Sequence, residues 1–174
     1  MPDPWDKRLQ TVPTTAPRTR TVQGPSILSP KEIVELGGMT AESLPGIFEG
    51  EGTWLERFRP NPAFVEFLQG VISTEGPSDP NIQATARRQG QGWVYISDAR
   101  RPAGNHIPPE DIFGGFKVQQ GQVVPASYVR CEKYQVYTSN GLTQLPPFLR
   151  MLWIRELRLL AERRRGTTDA RYMN

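Results

Sequence analysis

The single histidine of this chain, His106, lies in sequence among Asp98, Arg100, Arg101, Asn105, Glu110 and Asp111. An imidazole that titrates near neutrality, oriented by carboxylates, is common equipment for acid–base chemistry or for holding a metal ion. The spacing compels neither. His106 sits in a Gly- and Pro-containing stretch that leaves its direction open. Pro108-Pro109-Glu110 has the form of a helix or turn start, where Glu110 and Asp111 complement the backbone dipole. The stretch reads as a solvated loop, with Asp98, His106, Glu110 and Asp111 as the residues an enzyme would have to use. The one cysteine, Cys131, is flanked by Arg130 and Lys133, cations that favour a thiolate. With no second histidine in the chain, a passive thiol beside a strand is the simpler reading.

No G-x-S-x-G, H-E-x-x-H, C-x-x-C or EF-hand pattern occurs, so the strong catalytic and metal motifs are absent. Gly90-Gln91-Gly92 lacks the third glycine of a dinucleotide fingerprint and precedes a strand signal rather than a helix, which makes it a turn. No cofactor is expected. One cysteine cannot close an internal disulfide, and a reducing, cytoplasmic setting follows most simply. No stretch approaches the ~18 apolar residues of a membrane span.

A second chemistry is electrostatic. Seventeen of the 21 cations are arginine, and charge is segregated along the chain. Residues 29–80 carry three basic and nine acidic groups, and residues 129–174 carry nine basic and four acidic, around a net charge of +3. Arg155, Arg158, Arg163, Arg164 and Arg165 could contact phosphates, with Trp93, Tyr95 and Tyr137 as stacking faces. The acidic segment could equally neutralise those arginines from within.

The elements that must position these groups follow from local signals. Residues 1–28 hold five prolines and few apolar side chains, the composition of a flexible arm with Trp5 and Leu9 as possible anchors. Ser29-Pro30-Lys31-Glu32 is a capping box opening a short helix, and Thr53-Trp54-Leu55-Glu56 opens a second. Asn61-Pro62 caps a third over Ala63 to Ser73, with Phe64, Val65, Phe67, Leu68, Val71 and Ile72 on one face. Residues Thr74 to Asn81 read as a connector. Trp93 to Ile96 is a strand, Ile112 to Val118 and Gln122 to Val124 form a hairpin, and Tyr134 to Thr138 is a further strand before the Asn140-Gly141 turn. A helix from Phe148 to about Arg165 closes the chain, with residues 166–174 frayed. Leu149, Leu152, Trp153, Leu157 and Leu160 share a face of that helix.

With 37% hydrophobic and 22% charged residues and a mean hydropathy of -0.52, 174 residues suit one soluble domain plus a tail. The 16 glycines and 17 prolines exceed the roughly 12% of average usage and mark many turns. The expected architecture is α+β over residues 29–165. Three short N-terminal helices precede a small antiparallel sheet of three to four strands, and the long C-terminal helix packs on that sheet. The function expected is a non-enzymatic protein–protein interaction or assembly component: an adaptor, an accessory subunit or an inhibitor. Its partner would be another protein or a second copy, held through Trp5, Leu149, Leu152, Trp153, Leu157 and Leu160. Nucleic-acid binding through the arginine-rich end is the alternative, and a small enzyme using residues 98–111 the third; no membrane partner is expected.

Overall fold

The computed structural model describes residues 25–100 and 106–172. Trp5 and Leu9, like Arg101 and Asn105, lie outside the described residues. Order reaches slightly further than Ser29, because Leu28 is buried in the core and Ile27 packs against it.

The expected helices form for the expected reasons. In α1 (Pro30–Glu35) the Ser29 side chain accepts from the Glu32 amide, and the Glu32 carboxylate accepts from the Ser29 amide at 2.7 Å. Strand β1 (Gly46–Phe48) pairs antiparallel with β2 (Phe58–Pro60) around α2 (Trp54–Arg57), which starts at a second capping box on Thr53 and Glu56. Helix α3 (Pro62–Glu75) is capped by Asn61, whose Nδ2 also donates to the carbonyls of Ala41 and Leu44. The β1–β2 hairpin had no sequence signal of its own.

The stretch from 80 to 89 differs from expectation. Asp79 caps a further helix, α4 (Pro80–Gln89), which Gly90 ends at φ 78°. Only Ile82 and Ala86 of α4 are buried, so the apolar period that reveals a helix is nearly missing although its caps are present.

Strand β3 (Gly92–Ser97) pairs antiparallel with β4 (Ile112–Gln119), and β4 pairs with both β5 (Gln122–Val123) and β6 (Val129–Arg130). The β4–β5 turn is Gln120-Gly121, both with positive φ (51° and 73°), as a two-residue hairpin turn requires. A separate hairpin joins β7 (Tyr137–Thr138) to β8 (Gly141–Leu142). The expected α+β architecture is therefore present.

The long helix α5 (Pro147–Tyr172) continues seven residues past Arg165, the end anticipated from the sequence. Its main neighbour is α3, where Trp153 meets Phe64 edge-on at 5.9 Å. Helix α3 in turn touches the sheet: Gln69 Nε2 donates to the Phe113 carbonyl, and Tyr128 Oη donates to Gln69 Oε1. Helices α3 and α4 thus lie against the sheet, whose Val94, Ile96, Phe113, Phe116 and Val118 join the common core.

Leu149, Leu152, Trp153 and Leu157 are all buried in this core, while Leu160 is half-exposed. The apolar face of α5 is covered by the protein itself. Leu152→Ala should therefore cost about 2–5 kcal/mol in a denaturant melt, whereas Leu160→Ala should cost under about 1 kcal/mol.

Candidate functional site

The polar residues after β3 do assemble, around the guanidinium of Arg100. The Arg100 side chain is fully buried and saturated. Its Nε donates to Asp111 Oδ1 at 2.8 Å, with Nη2 2.7 Å from the same oxygen. Nη1 donates to the carbonyls of Val136 (3.0 Å) and Gly141 (3.2 Å), and Nη2 to those of Glu110 (3.0 Å) and Gln135 (2.7 Å). Asp98 stands 3.6 Å from Nε through Oδ2 and accepts from the amides of Arg100 and Gln144 and from the Thr143 hydroxyl. Tyr134 Oη donates to Thr143 Oγ1, extending the chain Tyr134–Thr143–Asp98.

Burial pushes the Asp98 carboxyl above its ordinary value, against the pull of Arg100. Burial likewise pushes the Tyr134 phenol far up, so it remains a neutral donor. His106 lies on the surface, and Glu110 enters the cluster through its carbonyl. Among the described residues no group of His, Cys, Asp and Glu side chains is arranged to hold a metal. Both carboxylates of the cluster lie against Arg100, whose donors clasp three segments of chain, and Asp111 Oδ2 also accepts from Asn140 Nδ2 at 3.3 Å. Cys131 is half-buried with Sγ 3.4 Å from the Pro109 carbonyl, and its neighbour Arg130 turns to Glu66 at 2.8 Å.

The arginine-rich helix is largely neutralised from within. Arg150 grips Glu32 through two bonds, Nη1 to Oε1 (2.9 Å) and Nη2 to Oε2 (2.8 Å), and Nη2 also donates to the Ile27 carbonyl. Arg155 meets Glu75 and Glu156, Arg158 meets Glu35, and Arg164 meets Glu42, each within 3.0 Å. Arg163 and Arg165 are exposed, and neither has an ion pair among the described residues. The acidic segment therefore covers three of the five arginines that might have met phosphate.

What the described residues leave open is the other face of the sheet and one of its edges. Side chains alternate across a strand, so with Val94 and Ile96 in the core, Trp93 and Tyr95 point outward, 39% and 65% exposed. Lys117 and Gly115 stand opposite them on β4, and Val129 of β6, 58% exposed, continues the row past Gly115. A Cβ on Gly115 would lie 3.1 Å from Tyr95 Cδ1, so the Tyr95 ring rests on the sheet and shows its other side to solvent. Tyr137, the third aromatic residue considered for stacking, is elsewhere: it packs with Phe48 and Phe58 at the β1–β2 hairpin.

The edge is that of β3. Val124 N donates to the Lys117 carbonyl, so residue 117 faces β5 and the hydrogen-bonding groups of Phe116 and Val118 face β3. By the antiparallel alternation, Gly92, Val94 and Ile96 bond to β4, while the N–H and C=O groups of Trp93, Tyr95 and Ser97 point away from the sheet. Gln89 Nε2 donates to the Trp93 carbonyl at 2.8 Å. The backbone groups of Tyr95 and Ser97 have no partner among the described residues. The run Gly92–Ser97 holds no charge and no proline, two of the devices that blunt an edge; the register shift against β4 falls at its far end, between Ile96 and Ser97. The strand signal was legible in sequence; that it is an outermost strand was not.

Comparison with known protein families, with curated proteins and with solved structures returns no match.

Two tests follow from the buried and half-buried charges. Arg100→Met leaves Asp98 and Asp111 buried without their cation, and should cost about 3–5 kcal/mol in a urea melt. Glu32 is held down, from 4.5 to about 2, chiefly by its hydrogen bonds to Arg150. A carboxyl with a lowered native value contributes stability above its unfolded value and loses it as pH falls through the native one. Glu32→Gln should thus cost about 1 kcal/mol at neutral pH. The gap from wild type should close as thermal melts are taken down towards about pH 2.

Proposed function

We propose that this protein is a non-enzymatic protein-binding or assembly component of the cytoplasm, an adaptor, accessory subunit or inhibitor, that engages its partner through strand β3. The observation that carries the reading is the pairing of Trp93 and Tyr95 on an outward face with backbone groups of Tyr95 and Ser97 that have no partner among the described residues. Exposed aromatic rings supply large contact area at little entropic cost, and an open edge supplies directional hydrogen bonds. The expected interface on α5 is replaced in this reading, because Leu149, Leu152, Trp153 and Leu157 are occupied in the core. The buried Arg100 cluster supports a non-enzymatic role in the same way: its carboxylates are already bonded to arginine.

Nucleic-acid binding is the second reading, favoured by one observation, the exposure of Arg163 and Arg165 on the outer turns of α5 with no ion pair among the described residues. The two readings part in one experiment. The intact chain is immobilised as wild type, as Trp93→Ala/Tyr95→Ser and as Arg163→Glu/Arg165→Glu, and each is challenged with extract from its source. A protein retained stoichiometrically by wild type and by the arginine variant, and reduced at least tenfold by the β3 variant, is the expected result. Retention of nucleic acid that falls steeply with salt and disappears only in the arginine variant would establish the second reading instead.

A further inference from the structure

We infer that the partner of strand β3 is a second copy of this chain, paired antiparallel edge to edge to make a closed dimer with one continuous sheet across the two-fold axis. The inference rests on the reading of β3 as a docking strand and gives that strand its occupant.

Three features point to a copy of the same strand. First, the register closes on itself. Only Trp93, Tyr95 and Ser97 present bonding groups outward, so an added antiparallel strand must match these three with three outward-facing residues of its own. A two-fold axis at Tyr95 does this within the strand: Tyr95 faces Tyr95 of the copy, and Trp93 faces Ser97 in both directions. Once Gln89 releases the Trp93 carbonyl, every outward group of the edge finds a partner, and no residue outside Gly92–Ser97 is needed.

Second, the charges permit it. The strand is uncharged over its whole length, so no like charges meet across the axis. The pairing also sets the two exposed Tyr95 rings opposite one another on the outer face. Third, the topology closes. In this sheet β3 is a six-residue outermost strand, while the far side of β4 is taken by the two-residue strands β5 and β6. A symmetric β3–β3 contact consumes the one long edge in both subunits and leaves a dimer that does not propagate into fibres.

Gln89 adds a signature that a merely sticky face would not have. Its amide occupies the Trp93 carbonyl, the acceptor that Ser97 of the copy needs, and so competes with dimer formation at both ends of the contact.

The test is sedimentation equilibrium of the full chain up to about 1 mM, with hydrogen exchange of the Tyr95 and Ser97 amides followed by NMR. The expected wild type is a monomer–dimer equilibrium in which those two amides exchange rapidly when dilute and become protected as dimer forms. Tyr95→Lys, which places two like charges opposite one another, should raise the dimer dissociation constant at least tenfold while the circular dichroism spectrum is kept. Gln89→Ala should lower the constant several-fold. A wild type that stays monomeric with rapidly exchanging edge amides overturns the dimer and leaves β3 free to dock another protein. Edge amides that exchange slowly in the dilute monomer overturn both the dimer and the reading of β3 as an open strand. A dimer indifferent to both substitutions places the contact elsewhere and overturns the inference.

Discussion

The buried guanidinium of Arg100 fixes the half of the molecule that lacks long secondary structure. A cation taken out of water is strongly unfavourable unless nearly every donor is met by an acceptor of good geometry. Arg100 meets that condition with two carboxylates and four main-chain carbonyls, contributed by residues 110, 135, 136 and 141. Those residues span the entry to β4, the approach to β7 and the start of β8. None of these segments has a long ladder of its own; β7 and β8 are two residues each. The arginine substitutes for the missing backbone pairing, and Asp98 and Asp111, both near Nε, offset its charge. The end of β3 at Ser97, and with it the length of the free edge, is set by this clasp, because Asp98 turns inward to join it.

Charge segregation in the sequence becomes a set of contacts across the two ends of the chain. Glu32, Glu35 and Glu42 from the N-terminal part meet Arg150, Arg158 and Arg164 in order along α5. Exposed pairs of this kind are worth little one by one. Their use is geometric: successive pairs fix how far α5 slides along α1 and the turn that follows it. The bidentate Arg150–Glu32 pair is the firmest, since Glu32 also closes the capping box of α1 and its own conformation is already restricted.

The legible parts of the fold are those whose signal is local. Caps at Ser29, Thr53 and Asn61 place α1, α2 and α3, and the Gln120-Gly121 turn places the β4–β5 hairpin. Helix α4 escapes because two buried residues in ten make no visible stripe. The apolar character of α5 is equally plain in the sequence, but periodicity reports that a face is covered and not by what. Here α3 and the core cover it, and a partner was the natural alternative reading. The Arg100 clasp is invisible to sequence reasoning for a stricter reason. Its acceptors are mostly carbonyls, which every residue carries, from positions up to 41 residues away. Proximity of Asp98, His106, Glu110 and Asp111 along the chain suggested chemistry centred on the imidazole; it is the guanidinium of Arg100, between Asp98 and His106 in sequence, that gathers the carboxylates and carbonyls.

The open face of the sheet depends on two adjacent glycines. Glycine in the middle of a strand weakens it unless a neighbour must come close, and β4 carries Gly114 and Gly115 in its centre. A Cβ at Gly114 would stand 2.5 Å from Tyr128 Oη, so that glycine admits the phenol which bonds Gln69 of α3. Its neighbour faces the other way and lets the Tyr95 ring lie flat. One glycine therefore serves the core and the next serves the surface. The helices need Gly114 to seat α3 through Tyr128, but nothing in the core needs Gly115 or the ring it carries. A strand weakened at its centre to lay an aromatic ring on the solvent side gains cohesion if the sheet is extended past β3, because a further strand would bury that ring's free edge and complete the ladder on the other side of Tyr95.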